Sequence, residues 1–136
     1  ALRKDGTVKA WGSNEYGQLG DGTKVNKLVP TLVPGFSNVK QIVAGYYYTV
    51  ALLEDGTIKA WGSNYDGELG DGTTVGKLVP TEVPGLSNVK QIAAGDEYTV
   101  ALLEDGTVYA WGSNYLGQLG DGTTEGKLVP TSIPGL

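Results

Sequence analysis

The sequence contains no cysteine and no histidine. Without cysteine there are no disulfides, no thiolate metal sites and no cysteine nucleophile. Without histidine the commonest metal ligand and the commonest general base are both gone. Methionine is absent too, and the chain opens at Ala1 inside a repeat, so the expectation is an excerpt or a processed product of a longer protein. Basic residues are scarce: ten against fifteen acidic, a net charge of −5, with no stripe of lysine and arginine. That lacks the electrostatic footprint of a phosphate-backbone reader, so no direct nucleic-acid contact is expected. No apolar run approaches the ~20 residues of a membrane-spanning helix, so no membrane span is expected. No targeting segment is evident.

What the chain has in excess is glycine, 22 of 136 residues, about twice the ordinary share. The glycines follow no collagen period; they sit at turn positions, which suits many short strands joined tightly. Forty per cent of the residues are apolar and 18% charged, a balance that excludes a disordered tail.

The dominant signal is an internal repeat of 50 residues without insertion or deletion. Trp11, Trp61 and Trp111 mark it, each within Ala-Trp-Gly-Ser-Asn. The string Leu-Gly-Asp-Gly-Thr begins at Leu19, Leu69 and Leu119. Over the 36 positions that the second and third units share, seven differ. The chain divides into one repeat domain over 1–136, with units 1–50, 51–100 and a partial 101–136.

Each unit reads as four strands. In Val89–Ala94 apolar anchors at Val89 and Ile92 alternate with polar residues. Tyr98–Leu103 is a second strand, and Asp105-Gly106 after it is a strong hairpin signal. Residues 107–111 give the third strand and residues 127–133 the fourth. The fourth contains Pro130, as its counterparts contain Pro30 and Pro80. Proline cannot donate to a ladder, which puts this strand at the outer edge of the sheet. Gly45 and Gly95, each after an alanine, suit a crowded inner end where neighbouring sheets converge. Small inside and proline outside is the taper of a propeller blade. The fold class expected is therefore all-β: about three four-stranded antiparallel propeller blades, the first incomplete. Faces of such sheets are buried by stacking, with the three tryptophans and Leu19, Leu69 and Leu119 between blades.

Ala94-Gly95, the strand at 99–102 (TVAL), 105–108 (DGTV), 111–114 (WGSN) and 117–120 (GQLG) resemble the RCC1 repeat family, and the likeness extends over the whole chain. The resemblance implies a β-propeller, usually of seven blades, whose sheets mediate recognition. The family includes a chromatin-bound exchange factor for a small GTPase and a secreted bacterial β-lactamase inhibitor. The sequence departs from the pattern at Tyr48 and Tyr98, where the family often has histidine. Fewer than three repeats cannot close such a ring. The first blade should lack its innermost strand and both end faces should be open, to be covered by more chain or by other copies.

Searches for chemistry return structural readings. Gly76-Lys77 and Gly126-Lys127 resemble a phosphate loop, but Asp71 or Asp121 stands where its first glycine belongs, and Leu78 or Leu128 where Ser/Thr belongs. Asp21, Asp71 and Asp121 recur like a ring of carboxylates, yet their spacing is not that of a calcium loop, and aspartate before glycine stabilises a turn. Asp55 and Asp105, with Glu54 and Glu104, read as hairpin residues rather than a catalytic pair. Ser13, Ser63 and Ser113 have no base to activate them and read as turn caps. No catalytic residue, cofactor or metal is expected.

Binding remains, and differences between units suggest where. Tyr46 and Tyr47 are replaced by Asp96 and Glu97 in the next unit. Tyr16 follows Glu15 where Tyr65-Asp66 and Tyr115-Leu116 stand in the later units. All fall in expected loops, which carry function on rigid scaffolds, and tyrosine supplies rigid contact area. The alternative is unselected drift in exposed turns. The reading is a non-catalytic scaffold for a protein partner, with Trp11, Trp61, Trp111, Gly45 and Gly95 structural. A structural or surface array is the second reading and GTPase exchange the third. No compartment is assigned, although near-identical repeats without cysteine lean toward an exported bacterial protein.

Overall fold

A computed structural model describes residues 1–136 and contains ten strands and no helix. In the first blade, β1 (Lys9–Gly12) pairs with β2 (Lys27–Leu32), and a bridge between Leu2 and Val8 is all that precedes them. The second blade is β3 (Val39–Ala44), β4 (Tyr48–Leu53), β5 (Ile58–Gly62) and β6 (Lys77–Glu82). The third repeats it as β7 (Val89–Ala94), β8 (Tyr98–Leu103), β9 (Val108–Gly112) and β10 (Lys127–Ser132). Each complete blade is an antiparallel meander in chain order, with the proline-bearing strand at the edge.

Local chemistry explains the meander. In the hairpin between β4 and β5, the Thr57 amide and hydroxyl donate to Asp55 Oδ1 at 3.0 and 2.6 Å, so the carboxylate closes the turn. Gly62 ends β5 in the left-handed region, at φ +109°, where the pairing with β6 shifts register. A Cβ there would lie 2.5 Å from the Tyr47 carbonyl oxygen, so only glycine fits.

The long connection from β5 to β6 is organised by Asn64. Its Nδ2 donates to Asp71 Oδ1 and to the carbonyls of Thr73 and Val75, and its Oδ1 accepts the Leu69 amide. Asp71 also accepts the Thr73 amide and pairs with Lys77 at 2.9 Å. Asn14 and Asn114 build the same hub in their units. The recurring aspartates are thus committed to turns, as the glycine spacing suggested.

Burial follows alternation along β4. Tyr48, Val50 and Leu52 face the third blade, whereas Ala51 and Leu53 face the first. This strand is apolar on both faces because a blade lies against each. The identical sequence in β8 has no blade beyond it, and its Tyr98, Val100 and Leu102 are only half-buried. The two seams between blades are the cores: a larger cluster around Tyr48, Ile58, Leu69 and Trp111, and a smaller one around Val8, Val33 and Trp61.

Polar bonds lock the seams. Trp61 Nε1 and Thr49 Oγ1 both donate to the Gln18 carbonyl at 2.9 Å. Trp111 Nε1 and Thr99 Oγ1 do the same at the Glu68 carbonyl, at 3.0 and 2.9 Å. On the inner strands, the Gln41 amide makes a reciprocal pair with the backbone of Ile92. Tyr48 is a further strut: its hydroxyl donates to the Tyr98 carbonyl and lies 3.2 Å from Thr99 Oγ1. Burial pushes its phenol well above the ordinary range.

Three expectations need correction. Trp11 is not buried: it is 51% exposed, because no preceding blade offers it a carbonyl or a packing face. A side chain at Gly45 or Gly95 would clash, but with the ring of Tyr48 or Tyr98 in its own blade rather than with a converging sheet. The serines after Trp-Gly do not cap backbone groups; Ser63 Oγ donates to the Glu68 carboxyl and Ser113 Oγ accepts from Gln118.

Candidate partner-binding rim

An antiparallel meander sends alternate connections to opposite ends. The β3–β4 and β5–β6 loops of each blade, and their counterparts, therefore share one rim. All nine residues singled out for differing between units lie on it.

Four of them form one aromatic cluster across the first seam. Tyr46 and Tyr47 meet at a tilt with ring centres 4.2 Å apart, Tyr47 meets Tyr16 at 4.7 Å, and Tyr16 meets Tyr65 edge-on at 6.1 Å. Tyr47 is held at φ +64°, a conformation that costs a bulky residue roughly 1–2 kcal/mol. Such strain persists where surrounding contacts over-determine it. Tyr46 and Tyr65 remain exposed. Between Tyr16 and Tyr65 opens a recess of about 340 Å³, lined also by Lys24, Asn64 and Leu78.

The second seam is acidic. The Tyr46 amide donates to the Asp96 carbonyl at 2.8 Å, tying the aromatic loop to the acidic one. The like-charged Asp66 carboxyl raises the pKa of Glu97, with burial adding to it. Tyr115 and Leu116 are carried on the third blade, highly exposed and outside the aromatic cluster.

Sequence reasoning missed Glu68. It is 1% exposed, and its Oε1 accepts the Asp66 amide at 2.9 Å. Burial, followed by the charges of Asp66 and Glu97, pushes its pKa up to about 7, although two backbone hydrogen bonds oppose the rise. Gln18 and Gln118 occupy the same place and accept the same kind of amide bond. The signal was present: Gly-Glu-Leu-Gly in one unit against Gly-Gln-Leu-Gly in the other two.

The repeat pattern of the regulator of chromosome condensation (RCC1) family matches residues 5–52, 55–102 and 105–136, and a second RCC1 repeat pattern matches 39–68 and 89–118. The chain belongs to the RCC1 repeat family. Among solved structures, yeast RCC1 (Prp20) bound to Kap60 superposes with a TM-score of 0.86 at 28% identity, over 99% of this chain and 34% of that one. A structure of Prp20p from Saccharomyces cerevisiae, described with its binding properties to Gsp1p and histones, gives 0.86 at 28% identity, over 99% and 36%. Human WBSCR16 gives 0.87 at 28% identity, over 99% and 37%. The chain thus spans about a third of the length of these proteins. They share its all-β blades of four antiparallel strands.

Proposed function

We propose that this RCC1-repeat segment is a non-catalytic scaffold that binds a protein partner through the tyrosine-bearing rim. The observation that carries the reading is convergence: the loop residues singled out for differing between units gather on one end, and four of their tyrosines form one cluster there. One yeast relative of the same fold, Prp20, is seen bound to Kap60 and is described with its binding to Gsp1p and histones. Ser63 is engaged by Glu68 and Ser113 by Gln118, and the chain has no histidine to activate any serine.

A display selection of random peptides on the chain tests this. Binders should lose affinity at least ~10-fold when Tyr46, Tyr47, Tyr65 and Tyr115 are replaced by serine, as expected when aromatic anchors are removed. Unchanged affinity in a folded variant, or no rim-dependent binder at all, would sink the reading.

The structural-array reading draws on the end faces. Trp11, Leu28 and Val29 are exposed on one, and Tyr98, Val100 and Leu102 are left half-buried on the other. Concentration-dependent assembly without any partner would favour it. Exchange activity on a small GTPase is the third reading, and accelerated nucleotide release is its assay.

A further inference from the structure

The two seams are built from the same parts. An indole of the later unit donates to a loop carbonyl of the earlier one, Trp61 to Gln18 and Trp111 to Glu68. A glycine amide of that loop, Gly22 or Gly72, donates back to the Leu78 or Leu128 carbonyl at 2.9 Å. Glycines make the room. A Cβ at Gly20 or Gly70 would lie 2.7 or 2.6 Å from the indole nitrogen, and one at Gly17 or Gly67 would strike the leucine side chain.

The first and third units each keep one half of this arrangement unused. Trp11 is 51% exposed and Leu28 96%, whereas Trp61 and Trp111 are fully buried. On the third unit, a Cβ at Gly117 or Gly122 would meet nothing within 4 Å, and one at Gly120 would adjoin only Ile133 of its own unit. Neither the Gln118 carbonyl nor the Gly122 amide bonds to another unit. The two units also differ in charge. Residues 1–36 carry five basic and three acidic side chains, a net +2, and residues 101–136 carry one and four, a net −3. Unlike ends attract and like ends repel.

We propose that copies of the chain join head to tail, with Trp11 of one donating to the Gln118 carbonyl of the next and Leu28 laid over Gly117. This rests on the array reading and supplies its joint; the rim stays free. A second copy is the occupant because it brings an indole, a leucine carbonyl and a charge that match the open loop, in an arrangement already used at both internal seams. The contact joins two different surfaces, so copies add in series rather than stopping at a pair. It is weaker than an internal seam, since the first blade sets two paired strands against the four of the third.

The test is sedimentation velocity of the full chain from ~10 μM to ~1 mM, the range in which weak association shows. The weight-average sedimentation coefficient should climb past that of a dimer and fall again on dilution. Association should weaken several-fold between 50 and 200 mM salt. W11A and G120N should each associate at least ~10-fold more weakly. Asparagine tolerates the φ of +72° at position 120 and puts a side chain where the incoming indole lies. Mixed one to one, the two variants should form a heterodimer and nothing larger, because W11A keeps the receiving loop and G120N keeps the indole. Native tryptophan emission shows that each is folded. Assembly that stops at a dimer, or a variant mixture that stays monomeric, would overturn the proposal. So would loss of assembly in Y46S/Y47S/Y65S/Y115S, which should match wild type within ~2-fold. If W11A and G120N both assemble like wild type, this joint fails and the array reading stands; a wild-type monomer at every concentration sinks both.

Discussion

Replacing Glu68 with glutamine should stabilise the protein at neutral pH and leave it almost unchanged in mild acid. The buried carboxyl titrates near 7 in the folded chain against 4.5 when exposed. Its folded pKa is raised, so the folded state holds the proton more tightly than the unfolded chain does. Stability is therefore full below about pH 4.5, falls as pH rises through 7, and levels off above. At about 1.36 kcal/mol per unit, the shift sets an upper bound of about 3 kcal/mol. Glutamine loses nothing in exchange, since Gln18 and Gln118 already fill this place and accept the same amide bond. The assay is urea unfolding followed by tryptophan fluorescence at intervals from pH 5 to 8.5. The wild-type midpoint should fall across that range relative to E68Q. A constant gap between the two proteins would refute a titrating buried acid at this seam.

Other perturbations separate seam from surface. Trp61→Ala should cost ~3–5 kcal/mol in urea unfolding and Trp11→Ala less than ~1, since one indole is fully buried and the other half-exposed. Gly62→Ala should destabilise by ~2 kcal/mol or more, through its positive φ and the Tyr47 carbonyl in its path; an alanine variant as stable as wild type would contradict the bulge. Threonine and lysine partners hold Asp21 and Asp121 down at about 2, with burial of Asp21 opposing. Their contribution is present above pH 3.8 and lost as pH falls toward 2, so acid titration should show loop loosening in that window by hydrogen exchange at residues 21–26 and 121–126.

Strand order was readable because its cues are local. Asp-Gly turns sit between alternating runs, and Pro30, Pro80 and Pro130 mark the edge. What a repeat cannot announce is which copy has a neighbour. Trp11 carries the same motif as Trp61, yet burial of an indole here requires a residue 43 positions earlier to supply the carbonyl. The crowding at Gly45 was read correctly, but its agent is the ring three residues on. Glu68 went unnoticed because its burial comes from Thr99 and Trp111, 31 and 43 positions away, and the glutamine-to-glutamate change is small in sequence terms. The rim loops were identified as variable, but their division into an aromatic seam and an acidic one needed three dimensions. Asp66 and Glu97 are 31 residues apart and meet only because blades stack.

The indole-to-carbonyl bond at each seam runs one way: a later unit always grips the loop of the earlier one. A blade therefore carries a socket on one side and a plug on the other, and every copy of the unit carries the same pair. Duplicating one 50-residue segment in frame inserts a blade whose two sides already match its new neighbours. A duplication out of phase would break the ladder at both joins. Lineages can thus lengthen or shorten such an array by recombination between copies without inventing an interface.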